Sequence, residues 1–120
     1  MRDKLEHVVL CMFNSIDASD WSALDTYFHP RIEYRRPGYD AIQGLDQLHV
    51  FYERTRIVKS GRHTINTLLC DPESPSVCVT GAFHGVDKGG RDLDVGFCDV
   101  YLFQDEKIIR RETFFSVPAV

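Results

Sequence analysis

The chain has 120 residues, of which 43% are hydrophobic and 27% charged, and carries a formal net charge of -4. That length makes a single domain, residues 1-120, with room for one core and not for two. The acidic balance argues against a nucleic-acid partner, because phosphates need a basic face. No apolar run approaches the roughly 20 residues of a bilayer span, so no membrane partner is expected either. The N-terminal MRDKLEHVVLCMFN mixes charge into its apolar run and lacks a small-residue cleavage site, unlike a signal peptide. Cys11, Cys70, Cys78 and Cys98 sit in apolar stretches without CxxC spacing and read as free thiols. Together these features predict a reduced, cytoplasmic protein.

In chain order, Leu5, Val8, Val9, Met12, Phe13 and Ile16 recur at helical spacing and predict a first amphipathic helix. Asp17 to Asp20 break it and cap a second helix, about Trp21 to Phe28, which His29-Pro30 stops. Ile32 to Arg36 predicts a short strand and Pro37-Gly38 a turn. A third helix is expected over about Leu45 to Val58, with Leu45, Leu48, Phe51, Tyr52 and Thr55 inward and Gly61 as its C-cap. Four strand-like runs follow, His63–Cys70, Val77–His84, Arg91–Phe103 and Lys107–Val117, separated by DPESP, VDKGG and QDE, connectors of hairpin length. The layout is α+β, with helices gathered on one side of a sheet. A helix layer across a curved sheet leaves a concave space suited to a small ligand.

The most informative run is RDLDVGFCDVYLF. Read at strand period, Leu93, Val95, Phe97, Asp99, Tyr101 and Phe103 share one face, an apolar row with a single carboxylate at its centre. A carboxylate in such a row is a candidate proton carrier; it is equally a candidate structural pin, hydrogen-bonded to its surroundings. His63 and His84 stand at strand ends, and imidazole suits proton transfer near neutrality. His7 and His49 are expected in solvent. Arg35-Arg36, Arg54/Arg56 and Arg110-Arg111 read as solvated faces or ion pairs. No zinc spacing, phosphate-cradling glycine loop or GxSxG elbow is present, so neither metal nor cofactor is expected.

The order helix, DW…L…F, a strand ending in RRPG, G-L-D-Q-L..FY, G-R-H-T-I, G-x-F-x-G, F-C-D-V-Y-L-F and K-I-I-R-R-E-T-F-F resembles SnoaL-like domains of the ketosteroid-isomerase and nuclear-transport-factor-2-like superfamily. The resemblance runs from about Leu5 to Phe115. It implies a cone-shaped, curved and mostly antiparallel sheet wrapped on three N-terminal helices, with an apolar internal pocket, commonly in a homodimer formed through the sheet. Asp99 falls where ketosteroid isomerases carry a protonated oxyanion-hole Asp and SnoaL-type cyclases an acid/base Asp. The isomerase tyrosine of the first helix is Met12 here, and its general-base Asp is Arg36. Thr113 stands where the limonene-epoxide-hydrolase type carries an acid.

Two family patterns do match. Cyclases pair a histidine with the Asp of the next strand, which His84 and Asp99 resemble; scytalone-dehydratase-like enzymes use an Asp before DW and two histidines, which Asp17, His63 and His84 resemble. The resemblance thus implies a cofactor-independent isomerase, cyclase or dehydratase acting on a small apolar carbonyl or polycyclic compound. Its catalytic candidates are Asp99, His84, His63 and Asp17, and its pocket-wall candidates Trp21, Tyr34, Phe97 and Tyr101. The alternatives are a scytalone-dehydratase-like lyase using Asp17, His63 and His84, and a non-catalytic ligand-binding or dimerisation module of the same fold.

Overall fold

The computed structural model describes residues 2–117. Helix α1 (Arg2–Asp17) buries Leu5, Val9, Met12, Phe13 and Ile16, the stripe its spacing predicts. The DW segment forms only a 3₁₀ turn (Trp21–Ala23) and a single α turn, α2 (Leu24–Tyr27), before the chain becomes extended at Phe28. Strand β1 (Phe28–Arg35) thus begins before His29-Pro30, and the expected second helix is shorter than its pattern. Helix α3 (Gly44–Val50) follows the two-residue strand β2 (Ile42–Gln43) and runs into a π-helical turn, Phe51–Thr55. Strands β3 (Val58–Asp71), β4 (Ser76–Asp87), β5 (Asp92–Gln104) and β6 (Lys107–Phe115) complete an antiparallel meander.

The sheet order is β2-β1-β6-β5-β4-β3, with β1 parallel to β6 and every other pair antiparallel. The result is an α+β fold: helices on one face of an unclosed, curved, six-stranded mixed sheet. The core lies between them, where Leu5, Met12, Phe28, Ile32, Tyr34, Leu48, Val79, Tyr101 and Ile108 are almost completely covered.

Two departures from the expected pattern shape the interior. The π turn places one more residue in its loop than an α turn would, so Thr55 is exposed and Arg56 is buried in its place. Gly61 is no C-cap; it lies within β3, where a Cβ would come within 2.2 Å of the Phe83 ring and 2.7 Å of the His84 carbonyl oxygen. The absence of a side chain there is what lets β3 close on β4.

A register shift between Leu102 and Phe103 matters most. Gln104 pairs with Lys107 and Phe103 with Ile108, but Leu102 pairs with Arg110, leaving Ile109 as an extra residue on β6. Cross-strand partners share a face. The bulge therefore sets Arg111 beside Tyr101 and Thr113 beside Asp99, all four buried.

Candidate active site

The odd-numbered face of β5 turns inward as its pattern predicts, and Asp99 at its centre is wholly buried. Four donors converge on its carboxylate. Oδ2 accepts from the Tyr101 hydroxyl at 2.5 Å and from Nη2 and Nε of Arg111 at 2.9 and 3.2 Å. Oδ1 accepts from the Thr113 hydroxyl at 2.5 Å. With Thr113 donating to Asp99, its oxygen accepts from the Tyr34 hydroxyl at 2.9 Å, whose own oxygen accepts from Nη1 of Arg36 at 3.1 Å. Arg111 also donates through Nη1 to the Tyr52 hydroxyl at 2.7 Å, and its guanidinium lies 4.6 Å from the centre of the Tyr34 ring.

Burial alone would lower the pKa of Arg111, but Asp99 and the surrounding tyrosines outweigh it and hold the charge well above the ordinary arginine value. Burial raises the pKa of Tyr101 well above that of a free phenol, opposed by Arg111 and aided by Asp99; Tyr52 is raised by burial as well. Both hydroxyls are therefore neutral donors at any physiological pH.

A second acid–base pair is built from the last residue of α1 and the β3 strand. Asp17 Oδ2 accepts from the backbone N–H of His63 at 2.9 Å, and its Oδ1 lies 2.5 Å from Nδ1 of the same residue. A carboxylate there fixes the imidazole hydrogen on Nδ1 and leaves the Nε2 lone pair available. Among the described residues nothing hydrogen-bonds Nε2. The ring is wedged among Phe13, Phe83 and Phe97, with centroid distances of 4.7, 4.8 and 5.4 Å, which holds its orientation.

A half-enclosed cavity lies between the two pairs. Its apolar wall is Ile16, Val58, Phe83, Phe97 and Phe115; its polar wall is His63, Asp99, Thr113, Tyr34, Tyr52 and the guanidinium groups of Arg36, Arg56 and Arg111. It contains about 30 Å³ of water-accessible space, room for about two water molecules. Arg56 is only 5% exposed and lies 5.1 Å from the ring centres of both Trp21 and Tyr52, which stack on each other at 5.2 Å. Burial lowers its pKa. Its Nε has no hydrogen-bond partner among the described residues.

The structure thus joins Asp17 to His63 and places His63, Asp99, Tyr34 and Phe97 on the cavity. Trp21 and Tyr101 stand one layer behind it, the first under Arg56 and the second under Asp99. The expected pairing of His84 with Asp99 is not formed. His84 projects from the outer face of β4 opposite Asp94, with their side chains 58% and 76% exposed and 3.3 Å apart. The physical reason is parity: β4 buries Val77, Val79, Gly81 and Phe83, so even-numbered His84 points away from them.

Of the arginines read as solvated faces or ion pairs, Arg111 is ion-paired, with buried Asp99, and Arg36, Arg56 and Arg111 all line the cavity; Tyr52 and Thr113 join them as site residues missed by the pattern. His49 is only partly exposed and pairs with Asp25 at 2.7 Å. All four cysteines are free thiols. Among the described residues no group of three or more His, Cys, Asp or Glu side chains could hold a metal ion, and no helix is long and apolar enough to cross a membrane.

An unclosed, curved sheet cupping three helices around a polar-floored cavity defines the nuclear-transport-factor-2-like class of folds. Residues 9–111 match the model of the SnoaL-like domain, and the chain belongs to that family. No curated protein sequence matches it. Among solved structures it is similar to Bal32a from a soil-derived mobile gene cassette, at 17% identity and a TM-score of 0.83 over 96% of this chain and 91% of the other. A protein from Jannaschia sp. CCS1 described as a SnoaL-like polyketide cyclase gives 14% identity and a TM-score of 0.81, over 96% and 87%. An LEH-like epoxide hydrolase of M. tuberculosis gives 15% and 0.82, over 96% and 84%. Such identities establish the shared fold, and one fold hosts several chemistries.

Proposed function

We propose that the chain is a cofactor-independent acid/base enzyme that removes a proton beside the carbonyl of a small organic compound. His63 is the base, held in one tautomer by Asp17. Tyr52 and Arg111 supply donors to the oxygen that becomes negative as the proton leaves. Isomerisation, cyclisation and dehydration share this first step. The observation that supports it best is the unoccupied Nε2 of an imidazole whose other nitrogen is fixed at 2.5 Å from a carboxylate, on the wall of a cavity. In this reading Asp99, with four donors already on its oxygens, positions Arg111 and Thr113 and does not carry the proton.

The test is deuterium wash-in from D₂O at the carbon next to the carbonyl, followed by proton NMR over a panel of small enolisable ketones and keto acids. Accelerated exchange with the native protein, lost in His63→Gln, is the expected result. No acceleration across the panel, or acceleration indifferent to His63→Gln, would overturn the assignment. A non-catalytic binding module is the second reading, supported by the small free volume and by the full occupation of Asp99. Pairing of two copies through the outer sheet face is part of the proposal, because Leu69, Val100, Leu102 and Phe114 are exposed; sedimentation of the native protein against Phe114→Lys tests it. Four free thiols support a reducing, cytoplasmic location.

A further inference from the structure

We infer that the cavity recognises a small planar organic carboxylate, with Arg56 as the group that receives it. The inference rests on the reading above: the compound that His63 deprotonates is a carbonyl acid, not a neutral ketone. Arg56 and Arg111 line the cavity, and a single carboxylate, Asp99, lies among its lining residues. That carboxylate is taken twice over by Arg111. Arg56 has no carboxylate within ion-pair distance among the described residues, is 95% buried, and has an Nε without a hydrogen-bond partner.

A buried cation of this kind is expensive to keep unless a counter-charge arrives. A fork of N–H donors fits a planar carboxylate better than any neutral oxygen. Arg56 is packed against the rings of Trp21 and Tyr52, so less side-chain freedom is lost when the ligand binds than for an exposed arginine. The apolar wall of Phe97 and Phe115 suits a flat unsaturated body.

Trp21 is the chain's single tryptophan and lies against Arg56, so its emission reports occupancy directly. Benzoate is the probe, with benzamide as its neutral counterpart of the same shape. Benzoate should change Trp21 emission saturably and benzamide should bind at least tenfold more weakly. Arg56→Gln should abolish that preference, while Arg56→Lys should keep part of it; thermal melts confirm that each variant is folded. Equal binding of benzoate and benzamide by the native protein, or no binding of benzoate, would overturn the inference without any variant. His63→Gln separates the two proposals: benzoate binding retained with deuterium exchange lost supports both. Benzoate recognised by a protein that never exchanges any carbonyl compound upholds the carboxylate site and removes the base. Exchange of neutral ketones without benzoate recognition does the reverse.

Discussion

The interior holds two pairs of a carboxylate with a nitrogen-bearing side chain, built to different plans. Asp99 and Arg111 are both buried, and every oxygen of the acid is engaged. Asp17 and His63 sit at the edge of the core, with side chains 19% and 12% exposed, and one nitrogen of the imidazole is left open. A saturated pair can hold a wall in shape and has no site left at which to exchange a proton. A pair with one open position can do so. The same two ingredients, an acid and a base in contact, therefore give a fully engaged pair in one place and a pair with an open nitrogen in the other.

The sharpest way to break this contrast is to remove one partner of the buried pair. Arg111→Met leaves Asp99 buried and uncompensated and should cost about 3–5 kcal/mol of stability, read from urea unfolding. Adding Asp99→Leu to it should recover a large part of that loss, because a matched apolar pair replaces an orphaned charge. If the single and double variants unfold alike, the buried pair is not the scaffold element described. The open pair should behave in the opposite way. His63→Gln should cost about 1 kcal/mol, the scale of one hydrogen bond, yet lower deuterium exchange by about 10²–10⁴-fold.

Alkaline titration sharpens the contrast from the scaffold side. Tyr101 and Tyr52 have pKa values raised by burial, so the folded state binds their protons more tightly than the unfolded chain does. The stability this provides is complete below about pH 10, the ordinary phenol value, and is lost as pH climbs from there toward the raised values. Tyrosinate absorbance from these two residues should appear together with unfolding and not before it. The smallest effect is expected at His84, on the outer face. His84→Ala should change stability by no more than about 0.5 kcal/mol and leave deuterium exchange at the native rate.

Much of this was readable beforehand, and the misses have definite causes. The inward row of β5 follows from its period alone, as does the stripe of α1. The position of His84 was equally readable: it shares a face with Cys78, Thr80 and Ala82, opposite to the face of Val79, which pairs with Asp99. Family likeness had suggested the partnership that strand parity forbids. Arg111 and Thr113 were hidden by the bulge, since counting back from the Gln104–Lys107 pair sets Arg110 and Glu112 opposite Tyr101 and Asp99. Arg56 was hidden by the π turn, which no local pattern announced. In both cases one additional residue moved a charge from the surface to the interior, where a rule about solvated arginines no longer applies.

The bulge at Ile109 also protects itself. Were β6 to slip back into the unbulged alignment, Glu112 would be driven into the core beside Asp99, and two negative groups would be forced together in a dry interior. Electrostatic repulsion thus penalises the mispaired hairpin, while the correct one is drawn shut by opposite charges. A feature that looks like a local defect in pairing acts as a lock on the alignment of the last two strands.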